Sequence, residues 1–489
     1  MKEVKKLAGQ TLIYGLGTIV PRFLNYAILT PLFTYTVKLT TDYGVIVELY
    51  AWMVLLLVVL TYGMETGFFR FVKKIDDDRK VYSTAMLSLL ITSSLFVLFV
   101  NLFIDDVSAF FNYSNNKEYI RMFTAIVAID AFSAIPFAKL RSDNRPILFS
   151  AIKLGNVIVT VVLLLFFLKL APSMYERGNS FIVSFYNPEH FVRYVFISNL
   201  IGSTFTLLLL TPIIFSIRPT FSWELWKRMV TYSLPLLVAG LAGTVNDVID
   251  KVLLRRMDTT GDGLEIVANY GAGYKIAVLM SLFVQMFRFA AEPFFFEKAG
   301  AKDAKEAYAM VMKHFIISGL VLFMGLNLFI PIVQYFVGPM LRGAIVVVPI
   351  VSFAYFLYGV YLNLSVWYKI NDMTRFGAYF TATGAAFTLA INIIFIPEYS
   401  YMASAWAHVV CYLVMVSLSY FIGRRHYKVD YDVKGFFIYS TIAIAIVLFA
   451  LYTDWGSTPL RMAVNTLLLA GFVAIAQLRD GTLSIFFKK

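Results

Sequence analysis

Eleven ionisable side chains sit inside long apolar runs of this chain: Arg22, Glu48, Glu65, Asp130, Lys153, Asp247, Asp250, Lys251, Lys275, Arg288 and Glu292. A charged group at the centre of a membrane span costs about 2.5–3.5 kcal/mol on insertion scales. Such groups pair, snorkel to an interface, or face a water-filled interior that handles ions and charged solutes. The chemistry on offer is therefore electrostatic. His190, His314, His408 and His426 are scattered and form no metal-ligand pattern. No phosphate-binding GxxxxGK[ST] loop is present, and nothing resembles a catalytic triad. The glycines of "TTGDGLE" (Thr259 to Glu265) read as an outer turn. The expectation is a protein that is not an enzyme, with no cofactor and no metal.

The composition says what must position these charges. Of 489 residues, 60% are hydrophobic and only 15% are charged, against about a quarter charged in a soluble domain. So little polar surface cannot cover so large an apolar fraction, and the solvent must be largely lipid. The 46 Phe and 30 Tyr suit a core and interface belts. The single cysteine, Cys411, excludes a disulfide within the chain. The basic start "MKEVKKLAGQ" leads into an apolar run too long for a cleaved signal, so it reads as a retained first span.

A span needs about 20 apolar residues. Fourteen are expected, at roughly 10–35, 44–66, 84–104, 119–139, 147–169, 191–216, 229–254, 268–290, 311–331, 344–366, 376–396, 401–422, 435–452 and 461–477. Runs of this length exclude barrel strands, so the class is an all-α polytopic membrane protein. The net charge of +12 concentrates in short loops, which argues for topology rather than nucleic acid. Of the 42 Lys and Arg, 27 fall in the loops of one side and 10 in those of the other; the remaining five lie within spans. That asymmetry places both termini in the cytoplasm. The largest outer loop, about Leu170 to His190, leaves no room for a soluble catalytic domain.

The chain also repeats itself. "GLGTIVPRFLNYAIL" from Gly15 parallels "GLAGTVNDVIDKVLL" from Gly240, and "DYGVIVELY" from Asp42 parallels "NYGAGYKIA" from Asn269. In the second register Glu65 falls on Glu292, and each glutamate precedes a Phe pair. The copies begin at spans 1 and 7, an even offset, so the halves are parallel six-helix lobes facing one central cavity. The expected organisation is residues 1–220 for the first lobe, 221–425 for the second, and 426–489 for spans 13 and 14 with the tail. Arg22 then aligns with Asp247, Asn25 with Asp250, Tyr26 with Lys251, and Glu48 with Lys275. Pro21 removes a backbone hydrogen bond and kinks span 1. With Gly15 and Gly240 it makes a candidate hinge.

Two readings stay open for most of these charges. Asp247 and Lys251 are four apart and can neutralise each other on one helix. Lys153, Glu65, Arg288 and Glu292 lie near span ends and can snorkel. Asp130 can cap or pair locally. Arg22, deep in its run from either side, favours function.

The arrangement resembles the polysaccharide transporter branch of the multidrug/oligosaccharidyl-lipid/polysaccharide exporter superfamily, the Wzx-type O-antigen flippases and their relatives. Its carriers are "LTPLFTYTVKLTTDYGVIVELYAWM", "SLPLLVAGLAGTVNDVIDKVLL", "NYGAGYKIA" and "NIIFIPEYSYMASAWAHVVCYLVM". These motifs are degenerate, and name a family rather than a substrate. The resemblance implies a multi-pass protein of the bacterial inner membrane that flips an undecaprenyl-diphosphate-linked oligosaccharide for surface polysaccharide assembly, such as O-antigen, capsule or exopolysaccharide. It implies rocking lobes coupled to an ion gradient. Arg22, Lys153, Lys251, Lys275 and Arg288 would receive diphosphate and acidic sugars, a role that suits arginine. Glu48, Asp130, Asp247 and Asp250 would carry a coupling H+ or Na+. The implied partners are the lipid-linked substrate and the bilayer, with no nucleic acid, and the implied state is a monomer.

Rival readings come from the same superfamily and from a different class, membrane enzymes. A lipid II flippase shares the 14-span plan but usually carries more arginines in its first span. A drug/cation antiporter usually stops at 12 spans. A polymerase or ligase of O-antigen needs a larger outer loop, and a glycosyltransferase needs a cytoplasmic domain.

Overall fold

The computed structural model describes residues 20, 21 and 23–481. Every regular element among them is helical. The chain divides into two compact units, Met1–Arg255 and Arg256–Lys489. The division falls at the end of the seventh span rather than before it.

The first unit holds α1 (residues 23–36), α2 (Thr40–Thr61), α3 (Met64–Val72), α4 (Asp78–Leu102), α5 (Ile104–Phe110), α6 (Lys117–Ser142), α7 (Pro146–Leu165), α8 (Ala171–Glu176), α9 (Ser180–Val183), α10 (Phe191–Ile214) and α11 (Trp223–Met257). The second holds α12 (Gly263–Lys298), α13 (Ala304–Leu328), α14 (Ile330–Val333), α15 (Val347–Leu364), α16 (Val366–Ile370), α17 (Arg375–His426), α18 (Val433–Tyr452) and α19 (Thr458–Asp480). Among the described residues, eleven helical stretches are long and apolar enough to cross a membrane. α11 lies over the expected span 229–254, where Asp247, Asp250 and Lys251 interrupt its apolar run. Each of the fourteen expected spans overlaps a helix.

Local chemistry sets the ends. Asp77 accepts the Lys80 amide at 3.0 Å, Asp262 the Leu264 amide at 2.8 Å, and Asp432 the Gly435 amide at 2.8 Å. Each satisfies an amide that the first helical turn leaves without a partner. Span 2 is two helices. Tyr62 and Gly63 take left-handed φ values of 33° and 71°, ending α2 and re-aiming α3. A side chain at Gly63 would also come within 2.9 Å of the Ser233 carbonyl oxygen on α11. Glycine is thus required there twice, for conformation and for close approach.

The 52-residue α17 is a hairpin of two spans. The backbone at Ser400 leaves helical geometry, with φ 51° and ψ −138°. Ser404 donates to Asn392 at 2.7 Å, and a Cβ on Gly384 would fall 2.9 Å from Cys411 Sγ. Side chains 12 and 27 residues apart meet only if the chain reverses, since a straight helix rises about 1.5 Å per residue. Expected spans 11 and 12 are therefore separate.

In the first unit α6 is central, packing on α2, α4 and α10; in the second α15 packs on α12, α13 and α17. Met64, Phe68, Tyr82, Ile135 and Met229 fill the first unit's core near the α3 end. α18 and α19, outside the repeat, pack on α13. Asp480 on α19 holds Lys313 of α13 at 2.7 Å and Tyr439 of α18 at 2.5 Å, and Asn465 donates to the Leu328 carbonyl at 2.6 Å.

Candidate functional site

The repeat register has a structural counterpart. Glu65 at the start of α3 forms an ion pair with Arg141 near the end of α6. Glu292 in α12 pairs with Lys369 of α16 at 2.6 Å. The aligned glutamates thus tie span 2 to span 4 and span 8 to span 10 in their own units. Glu292 lies inside an unbroken helix, whereas Glu65 follows the Tyr62–Gly63 break.

A polar seam runs between α6, α7 and α10. Ser203 donates to Asp130 Oδ1 at 2.8 Å, and Asn156 donates to Thr206 Oγ1 at 2.8 Å. Gly202 makes room for Thr160, whose hydroxyl would lie 2.2 Å from an added Cβ. Lys153, exposed on α7, acts electrostatically on Asp130 and places its ammonium 4.0 Å from the Phe137 ring centroid. A half-buried carboxylate bonded by a hydroxyl, in a seam that carries further polar groups, is a chemically competent site for a proton or a small hard cation.

Glu48 is 1% exposed and sits between three segments. Tyr113, from the loop before α6, donates to its Oε2 at 2.6 Å, and Arg255 at the end of α11 brings Nε within 3.7 Å. Burial pushes the Tyr113 phenol up, and the charge on Glu48 pushes it further, so Tyr113 remains a donor. Arg255, just past the expected span 229–254, faces a buried acid.

The charges of α11 also pair between adjacent residues. Lys251 Nζ bonds Asp250 Oδ1 at 2.8 Å and Oδ2 at 3.0 Å, and the backbone oxygen of Asp247 at 3.0 Å. The Lys251 amide also donates to Asp250, at 2.9 Å. Both side chains are buried, whereas Asp247 is exposed. Gly240 is exposed within the unbroken α11. Pro21 is buried. Gly15 and Arg22 lie outside the described residues.

In the second unit Lys275 is half-buried on α12. Arg288 lines a small cleft with Glu292 and Asn363. Arg288 Nε and Asn363 Oδ1 are both buried without a hydrogen-bond partner among the described residues. His408, which its sequence context does not single out, is 2% exposed. Its ring lies 5.6 Å from that of Tyr274, whose hydroxyl bonds Tyr355 at 2.5 Å. No group of three His, Cys, Asp or Glu among the described residues is arranged to hold a metal. Among the described residues, Lys153 acts on Asp130, Arg255 approaches Glu48, Lys251 bonds Asp250, and Arg288 and Glu292 line one cleft.

The sequence model of the family described as "Polysaccharide biosynthesis protein" matches residues 7–298, more than half of the chain. No curated protein is similar enough in sequence to count as a relative. Among solved structures, the fold is similar to the lipid II flippase MurJ in an inward closed conformation, with a TM-score of 0.71 at 14% identity, covering 96% of this chain and 99% of that one. It is also similar to an inward-facing multidrug resistance MATE family transporter of the MOP superfamily, at TM-score 0.62 and 15% identity, covering 86% and 96%. A MOP superfamily transporter from Pyrococcus furiosus gives 0.57 at 14%, covering 85% and 95%.

Proposed function

The chain belongs to the polysaccharide biosynthesis protein family, and from that premise we propose that it flips an undecaprenyl-diphosphate-linked oligosaccharide across the bacterial inner membrane for surface polysaccharide assembly. The family match over residues 7–298 carries this reading. It is supported by a fold that resembles those of membrane transporters and a flippase. Membrane-buried carboxylates and cations supply the means to handle a charged lipid head and a coupling ion.

Roles follow from the local geometry. Asp130, with Ser203 beside it and Asn156 and Thr206 on the same seam, is the best placed acid for a coupling H+ or Na+. Glu48 is engaged by Tyr113 and Arg255, which fits a latch between segments better than an open ion site. Lys251 bonds Asp250, and substrate contact is assigned to Arg22, Lys153, Lys275 and Arg288. Asp247, exposed on α11, is the second candidate for ion coupling. Both termini lie in the cytoplasm, and the protein works as a monomer.

The test is depletion of the protein in its own host. Loss of surface glycan, with the lipid-linked oligosaccharide retained in the inner leaflet, is the expected outcome. Normal surface glycan after full depletion contradicts the proposal. A second reading, flipping of lipid II, has the structural similarity over 96% of the chain in its favour. It predicts arrested peptidoglycan synthesis in the same experiment.

A further inference from the structure

At one end of the first unit, α2, α4, α5 and α6 enclose an apolar cleft of about 510 Å³. Its walls are aromatic, built from Trp52, Phe96, Phe99, Phe103, Phe110 and Phe123. The rings lock edge to face: Trp52 lies 6.1 Å from Phe110, and Phe110 lies 5.2 Å from Phe111. The inner wall is closed, with Phe123 1% exposed, whereas the rim is open, with Phe103 48% and Phe110 54% exposed. Along α4 the rim continues into Ile91, Leu95, Leu98 and Leu102, all exposed, a strip suited to a hydrocarbon chain.

One charged side chain lines this cleft, Asp106. Its neighbour Asp105 is paired with Lys117. Asp106 is exposed and has no ion-pair or hydrogen-bond partner among the described residues. Arg121, one turn along α6 from Lys117, is also exposed and lies within electrostatic reach of Asp105. The segment belongs to the side poor in Lys and Arg.

We propose that the cleft binds a zwitterionic, amine-headed phospholipid of the phosphatidylethanolamine type. An ammonium is drawn both to a carboxylate and to the faces of aromatic rings, and Asp106 beside these rings offers both. Arg121 is placed to meet the phosphate, and the α4 strip takes an acyl chain. A head group without a cation leaves Asp106 uncompensated, so the site discriminates by head group rather than by hydrocarbon alone. The proposal rests on the membrane reading of the chain and not on the identity of the transported glycan.

The test uses the purified full chain in detergent micelles, titrated with acyl-brominated phosphatidylethanolamine. Bromine quenches tryptophan fluorescence at contact, and Trp52→Phe isolates the Trp52 signal from the other five of the six tryptophans. The expected result is saturable, Trp52-dependent quenching. It weakens about tenfold in Asp106→Asn, as for loss of a charged hydrogen bond. Brominated phosphatidylglycerol quenches more weakly and ignores that substitution. Asp106 is exposed, so the variant folds, which a single unshifted size-exclusion peak verifies. Phe103→Ala, also on the open rim, weakens binding of both lipids. Equal quenching by the two lipids with no effect of Asp106→Asn overturns the proposal. So does absence of Trp52-dependent quenching, or displacement of the brominated lipid by a polyprenyl-diphosphate oligosaccharide at equal concentration.

Discussion

Asp250→Asn is the most informative single change in α11. The Lys251 ammonium donates to both carboxylate oxygens of Asp250, at 2.8 and 3.0 Å, and to the Asp247 carbonyl at 3.0 Å. Lys251 is 7% exposed and Asp250 1%, so solvent screens neither. Removing the negative charge takes the bonded carboxylate from a buried ammonium. Breaking a buried pair from one side costs about 3–5 kcal/mol. An uncompensated lysine in a span costs about 2.5–3.5 kcal/mol. The two estimates overlap near 3 kcal/mol, and Lys251→Met, which strands the Asp250 carboxylate, is expected to cost a similar amount. The double change Asp250→Leu with Lys251→Met removes both charges together, and is expected to return within about 1 kcal/mol of the parent, since apolar replacement of a whole buried pair is often neutral. Equilibrium unfolding in mixed micelles of a denaturing and a mild detergent measures all four proteins. Additive losses, with the double variant the least stable, refute the reasoning. So does an Asp250→Asn protein within about 0.5 kcal/mol of the parent, the range of an ordinary surface change.

Other outcomes follow from the same geometry. Tyr113→Phe removes a donor from a buried carboxylate and is expected to cost about 1.5–3 kcal/mol; in a Glu48→Gln background the loss shrinks, read as a double-mutant cycle in the same micelles. Glu292→Gln breaks a partly exposed pair with Lys369, so thermal unfolding should register no more than about 1 kcal/mol. Gly63→Ala meets both a positive φ and the Ser233 carbonyl, and should cost about 1–3 kcal/mol, seen as lower unfolding temperature. Asp130→Asn keeps a side-chain oxygen for Ser203 and so preserves the fold. Its expected effect is on coupling: transport in vesicles no longer responds to an imposed H+ or Na+ gradient, whereas a variant with parental gradient dependence removes Asp130 from the coupling role.

The spans were legible because a lipid solvent writes its demand directly into run length, and each of the fourteen expected stretches overlaps a helix. The reversal at Ser400 was readable too, as a short polar interruption between two apolar runs. The break at Tyr62–Gly63 was not, because a left-handed turn inside an apolar stretch leaves the hydropathy pattern intact. The shared register of Glu65 and Glu292 was legible, but it did not foretell that each pairs within its unit, with Arg141 and Lys369. Partner choice is tertiary. Lys251 bonds adjacent Asp250 because the Asp250 carboxylate folds back over both the amide and the ammonium. Arg255 becomes a neighbour of Glu48 only once α2 and α11 are side by side. His408 carried no motif, and its place beside Tyr274 comes from the packing of α12 against the second arm of α17.

The central claim is that this chain moves a lipid-linked oligosaccharide between leaflets. Its most direct measurement is a leaflet-accessibility assay in proteoliposomes. The substrate is an undecaprenyl-diphosphate oligosaccharide with a fluorophore on the glycan, and a membrane-impermeant reductant bleaches only the outer leaflet. The account predicts that the protected inner-leaflet signal is lost when the purified chain is present, that Asp130→Asn alters its response to an ion gradient, and that unlabelled lipid II fails to compete. Protection equal to that of protein-free liposomes, under every gradient tried, contradicts it.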